Sequence, residues 1–196
     1  MSDNIILYYN PNRKNITVKK YKKLLEEKNK KEIANFIYNR LYSRYIKPFE
    51  FEDETYKKEY KNGFSMMANA CLLIETLQSF KEGIGDSNRH SGDLFEHFFK
   101  DNKNFMEFKI TKNFNFYKKV RCAILHQGET TDGWKINRKK NTSLLQDKNI
   151  NVNKFMKELE KSLRAYRICL KYEEWDSEIW DNFRTKMRQI IKNTEG

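Results

Sequence analysis

The stretch "YKNGFSMMANACLLIETLQSFKEG", Tyr60 to Gly83, is the most apolar in the chain. Phe64, Met67, Cys71, Ile74, Leu77 and Phe80 recur at intervals of three and four, which puts them on one face of a helix. Gly83 stops that helix, because glycine adopts the left-handed conformation that closes a last turn. The spacing therefore predicts a central helix over 60–81. Glu75 sits inside it beside Leu72, Leu73 and Leu77. A carboxylate in that company must either face outward or meet a cation, since an unpaired buried charge is costly.

Downstream, "GIGDSNRHSG" reads as a loop. Ser91 is expected to cap a short helix presenting Leu94, Phe95, Phe98 and Phe99. Another helix is expected to start near Thr111 and carry Phe114, Tyr117, Val120, Ile124 and Leu125 until Gly128 ends it. Beyond it, "GWKINRKKNTSLLQDKNINVN" loses helical period and gains turn residues, which suggests a short β-hairpin or extended insertion. Asn153 is expected to cap a long helix on Phe155, Leu159, Leu163, Tyr166 and Leu170. Ser177 is expected to cap a last one on Ile179, Trp180, Phe183, Met187 and Ile190.

Upstream, an "NPN" turn precedes Thr17, which can cap a helix built on Val18, Tyr21, Leu24 and Leu25. A second run, Ile33, Phe36, Ile37, Leu41, Tyr45 and Ile46, is stopped by Pro48. The acidic "FEFEDET" is read as a surface connection. No repeat, low-complexity tract or Gly/Pro linker divides the chain. The expected fold is all-α: one domain over 1–196, its bundle core at about 60–130 plus 153–192, flanked by N-terminal helices across 17–47.

Composition narrows the function classes. Aromatic residues make up 14% of the chain, too many for a disordered one. No run reaches the ~18 to 20 apolar residues of a membrane span, and nothing at the N-terminus reads as an export signal. The expectation is a cytoplasmic protein with no membrane partner. Cys71, Cys122 and Cys169 lie far apart, each within an apolar helical pattern, and read as small buried hydrophobes in a reducing compartment. The formal charge of +12 suits a polyanion such as RNA. It also has a plainer reading: 29 of the 39 basic residues are Lys, and Asn, Ile, Tyr and Phe are abundant too, as an AT-rich genome would encode on any surface.

The stretch "RCAILHQGET", Arg121 to Thr130, holds the one constellation with chemistry in it. An arginine binds phosphate through two parallel hydrogen bonds, and a histidine moves protons near neutral pH. RNA cleavage through the 2′-hydroxyl needs a base, a cation on the developing phosphorane charge, and an acid for the leaving oxygen. His126 supplies the base or acid and Arg121 the cation. Lys118 and Lys119 extend the field as candidate RNA contacts, and Gln127 and Glu129 flank the histidine as candidate supporting residues. On a straight helix the two principal side chains stand about 140° apart, so they converge only if the helix ends at His126 or if two copies meet across a dimer. Each also has a plain structural role, because cations stabilise the negative end of a helix. Glu75 is expected to approach Arg121, the cation on the neighbouring apolar-faced helix.

Other constellations are weaker. His90 and His97 lack the companions of a zinc site, no phosphate-binding loop is present, and neither a metal nor a cofactor is expected. Phe116, Tyr117 and Trp134 have base-stacking chemistry, although aromatics at helical spacing more often form core.

The arrangement of Arg121, four residues, then His126, near the end of a late helix in a small all-α bundle, resembles the HEPN superfamily. The phrases "MMANACLLIETLQSF" and "FYKKVRCAILHQGETTDGWKI" also resemble a group of uncharacterised bacterial proteins of that kind. The resemblance covers chiefly 63–130. It implies a helical bundle that dimerises, with Arg121 and His126 lining a shared cleft, and a metal-independent endoribonuclease in a toxin–antitoxin, phage-defence or RNA-processing setting, with an antitoxin or defence protein as a further partner. Glu75 corresponds to an acidic residue that some members place near the arginine. Position 122 departs from the pattern: active members often carry a polar residue such as asparagine there, where this chain has Cys122. Three readings stand: a ribonuclease, a non-catalytic RNA- or nucleotide-binding module, and a helical protein-interaction domain.

Overall fold

Helical periodicity dominates the structure, a computed structural model that describes residues 2–10, 14–50, 54–108 and 115–195. A two-stranded antiparallel sheet opens the chain, β1 (Ile6–Tyr8) with β2 (Ile16–Thr17). The helices follow as α1 (Val18–Glu26), α2 (Lys30–Tyr45), α3 (Glu54–Glu59), α4 (Gly63–Glu82) and α5 (Ser91–Asp101). A π-helical turn over Tyr117–Cys122 runs directly into α6 (Ala123–Gln127). Three short strands come next, β3 (Lys135–Asn137), β4 (Leu145–Gln146) and β5 (Asn149–Asn151), and then α7 (Val152–Tyr172) and α8 (Glu178–Glu195). The protein is mostly α-helical, and no helix is long and apolar enough to cross a membrane. The expected "NPN" turn, the central part of "FEFEDET", and the helix start near Thr111 with Phe114 lie outside the described residues.

The chain divides into two compact units. The first comprises Met1–Arg44, Ser79–Ser87 and Leu163–Gly196; the second comprises Tyr45–Gln78 and Asn88–Ser162. In the first, Phe80 stacks on Phe183 at 5.6 Å between ring centroids, and Tyr166 donates to the Phe80 carbonyl at 3.4 Å. Tyr21 meets both Phe36 and Phe183. Gly83 ends α4 with φ of +69°. A Cβ there would lie 2.6 Å from Asn182 Oδ1, so glycine is needed for conformation and for space. The Asn182 amide donates to the Lys81 carbonyl at 2.7 Å, closing the helix end.

The second unit is built on phenylalanine. Phe116 stacks parallel to Phe155 and meets Phe95, Phe99, Phe108 and Trp134. All of these are buried, so Phe116 and Trp134 are core and not base-stacking surfaces. The insertion after α6 is a three-stranded sheet, β3 parallel to β5 and β4 antiparallel to it, so the hairpin is the β4–β5 part of a larger element. Its turn is Asp147 and Lys148, both at positive φ, the conformation a two-residue hairpin turn demands.

The caps sort the sequence reading residue by residue. Thr17 caps α1 by accepting from the Lys20 N–H at 3.2 Å. At α7 the capping side chain is Asn151, which accepts from Lys154 N–H at 3.1 Å, and Asn153 lies within the helix with its amide donating to the Arg138 carbonyl. Ser177 precedes α8, yet its hydroxyl donates to Glu174 and does not cap. Ser91 is the first residue of α5, and its hydroxyl is committed to Glu75. Of the cysteines only Cys71 is buried; Cys122 is half-buried, and Cys169, off the stripe of Leu163, Tyr166 and Leu170, is exposed.

Burial raises the phenols of Tyr21 and Tyr166 above their ordinary value of 10.0. A phenol whose folded pKa is raised contributes stability that is complete below the unfolded pKa and is lost as pH rises past it. Thermal melts are expected to show a melting temperature insensitive to these groups up to about pH 9 and falling above about pH 10, with Tyr21→Phe and Tyr166→Phe each weakening the alkaline fall. Phe116→Ala is expected to cost about 3 to 5 kcal/mol in denaturant unfolding.

Candidate functional site

The site grows from one backbone irregularity. Asn115 opens its helix by accepting from the Lys118 N–H at 3.0 Å. Phe116 then anchors the first turn in the aromatic core, and the chain winds one residue too many through Tyr117–Cys122. In a π turn, residues four and five positions on both lie beside the first. Tyr117 therefore has Arg121 and Cys122 as neighbours at once: the Arg121 guanidinium carbon is 5.4 Å from the Tyr117 ring centre, a cation–π distance.

The same turn rephases the rest of the helix. Val120 and Ala123 are buried, whereas Leu125, expected on the apolar face, is 42% exposed. A straight 100° period misplaces every residue after the extra one. It also alters the backbone pairing. The Ala123 N–H bonds to the Val120 carbonyl, and the Lys119 carbonyl, its partner in a regular α-helix, accepts from the Thr131 N–H at 3.0 Å. Gly128, at φ of +71°, reverses the chain after α6 so that the loop can return to that carbonyl.

Arg121 points to α4. Its Nη2 donates to Glu75 Oε2 at 3.0 Å, with side-chain exposures of 17% and 13%. The other carboxylate oxygen, Oε1, accepts from the Ser91 hydroxyl at 2.8 Å. Three elements thus meet at one carboxylate: α4, the start of α5, and the π turn. Burial works against the charged guanidinium, but the Glu75 carboxylate, with Cys122 and Tyr117, more than offsets it and raises the Arg121 pKa. Burial likewise raises the Tyr117 phenol, helped by its hydrogen bond with Cys122, and pushes the Cys71 thiol up one turn from Glu75. The carboxylate and guanidinium that the sequence reading expects to meet do meet.

The remaining named residues are placed differently. His126 lies in the last turn of α6, exposed, with no side-chain hydrogen bond or ion pair among the described residues. Gln127 is exposed. Glu129 is exposed and turned onto its own chain, accepting from the Thr130 N–H at 2.9 Å. Lys118 is exposed and Lys119 half-buried. Arg121, Glu75, Ser91 and Tyr117 are therefore one cluster, with His126 on the open end of the same helix. Sequence reasoning missed Ser91 and Tyr117 as members. Ser91 looked like a helix cap, and only the contact with Glu75 gives it another role. Among the described residues no group of three or more His, Cys, Asp and Glu side chains is arranged to hold a metal ion.

No protein-family model matches the chain, and comparison with curated proteins and with solved structures likewise finds no match.

Removing either member of the half-buried pair strands the other. Glu75→Ala and Arg121→Ala are each expected to cost about 1 to 3 kcal/mol. In denaturant titrations the double variant Glu75→Ala/Arg121→Ala should lose less than the sum of the singles, by about 0.5 to 3 kcal/mol; strict additivity would mean the two groups do not interact.

Proposed function

We propose that this protein is a metal-independent endoribonuclease of HEPN type, acting by internal attack of the ribose 2′-hydroxyl. One observation carries the reading. An arginine fixed by a carboxylate lies on the helix whose last turn presents an exposed histidine without a partner among the described residues. His126 is open to take the 2′-hydroxyl proton or return one to the leaving 5′-oxygen, and Arg121 supplies charge to the phosphorane. Glu75 is a positioning residue, holding the guanidinium through Oε2 while Ser91 holds Oε1.

The dimer belongs to the same proposal. Leu72 lies three residues before Glu75 and Leu125 four after Arg121, one turn away on each helix, and each is 42% exposed. Two apolar side chains beside the cluster suit a second copy of this chain, which would bring a second Arg121 and His126 to a shared cleft. A toxin–antitoxin or phage-defence setting is part of what the resemblance implies.

A second reading is favoured by a specific observation. Glu75 already neutralises Arg121, which suits a structural arginine in a non-catalytic RNA-binding module.

Cleavage of a labelled RNA in EDTA separates the two. The proposal predicts products ending in a 2′,3′-cyclic phosphate and a 5′-hydroxyl, no cutting of the 2′-deoxy counterpart, and a loss of about 10² to 10⁴ in rate for His126→Ala with RNA affinity nearly unchanged. Full activity in His126→Ala or equal cutting of the deoxy strand contradicts it. RNA binding without cleavage by the intact protein favours the binding module.

A further inference from the structure

The second unit also contains a cavity of about 980 Å³ that has no lining residue in common with the Glu75, Arg121 and His126 set. Its floor is apolar, with Ile46, Met66 and Met156 all buried. Around it stand Lys58, Lys61, Arg138, Lys140 and Lys157, opposed by Glu50 and Glu160. The four lysine side chains make no ion pair or hydrogen bond among the described residues. All four are exposed, and an excess of one sign around one concavity attracts an anion.

Arg138 gives the excess a direction. It follows β3, and its stem lies over the first residue of α4: a Cβ built on Gly63 would be 3.9 Å from Arg138 Cδ and 3.4 Å from Ile136 Cγ2. Its Nη1 donates to the Tyr60 carbonyl at 2.8 Å, which fixes the plane of the guanidinium. Its Nε is buried and has no hydrogen-bond partner. One edge of the fork is thus anchored to the backbone, while the edge carrying Nε is left without a partner, and a guanidinium edge of this kind matches two phosphate oxygens. Asn62, another lining residue, has its Oδ1 buried and equally without a partner. A buried donor and a buried acceptor left unmatched in one cavity are unusual, because each forfeits its hydration without a replacement.

The third element is aromatic. Tyr60 lines the cavity, is 55% exposed, and stacks on Tyr56 with ring centroids 4.3 Å apart and planes 26° from parallel. A ring supported from behind and exposed in front is a stacking platform for a planar base. Charge alone would suit any anion and an apolar floor any lipid; a fork, a hydrogen-bond acceptor and a stacking ring together select a narrower class.

We propose that this cavity binds a nucleotide, with its phosphate on the Nε edge of Arg138 and the surrounding lysines, its base on Tyr60, and an amino or hydroxyl group donating to Asn62. The nucleotide is either free or one unit of a single-stranded RNA. The inference does not depend on cleavage, since none of these residues belongs to the Arg121 cluster.

Calorimetric titration of the full chain with adenosine 5′-monophosphate, adenosine, inorganic phosphate and a short oligoadenylate tests it. The monophosphate should bind at least about tenfold more tightly than adenosine or phosphate, because the site reads both ends of the ligand. Arg138→Gln, Tyr60→Ala and Lys140→Gln should each weaken nucleotide binding, the first two by about tenfold, while Lys20→Gln, exposed on α1 of the first unit, leaves it unchanged. Tyr60 and Lys140 are exposed, so their variants carry the test if Arg138→Gln impairs folding by circular dichroism. A response to these variants with oligoadenylate alone identifies the RNA strand as the source, and a response with the monophosphate identifies the free nucleotide. Monophosphate and oligoadenylate both binding no tighter than phosphate, or affinities for both unmoved by the three variants, overturns the proposal.

Discussion

The ion pair between Glu75 and Arg121 is the constraint on which the candidate site depends. A carboxylate among the leucines of α4 is unfavourable by itself, and so is a guanidinium turned inward from the π turn. Each makes the other tolerable, and Ser91 occupies the remaining carboxylate oxygen. The arrangement ties three elements of the second unit together through one side chain, and it fixes where the arginine charge can act.

The π turn makes the pair possible. Phe116 is locked among Phe95, Phe99, Phe108, Trp134 and Phe155, so the helix cannot rotate to suit its polar residues. An extra residue in the winding changes the phase after that anchor. Tyr117, Arg121 and Cys122 come to one face, the Lys119 carbonyl is released to Thr131, and Leu125 turns outward. Such irregular turns persist in proteins where a site needs a placement that a regular helix does not give.

The helices were legible in the sequence wherever a strong apolar period met no irregularity. Met67, Cys71, Ile74 and Leu77 of α4, and Leu94, Phe95, Phe98 and Phe99 of α5, are all buried as their spacing requires. The contact between Glu75 and Arg121 was legible too, because a charge in apolar company needs an opposite one. Capping was less so: Ser91 and Ser177 have the right chemistry, but a hydroxyl goes to the strongest acceptor in reach, and Glu75 and the Glu174 carbonyl supply it. The first sheet, formed by Ile6–Tyr8 and Ile16–Thr17, had no signal because strands this short leave no period to read. The π turn had none either, since nothing in "FYKKVRC" departs from an ordinary helical pattern. The cavity around Arg138 draws residues from α3, the start of α4, β3 and α7, which only the folded chain brings together.

Under the proposed function Arg121 would have two separable duties, one toward Glu75, with which it forms an ion pair, and one toward a phosphate. Exchanging the pair, Glu75→Arg with Arg121→Glu, tests both at once. The exchanged protein is expected to melt closer to the parent than either single variant does, because the ion pair is re-formed, while the proposed RNA cleavage is lost because the cation has moved to α4. An exchanged protein that cleaves RNA as fast as the parent would contradict that reading.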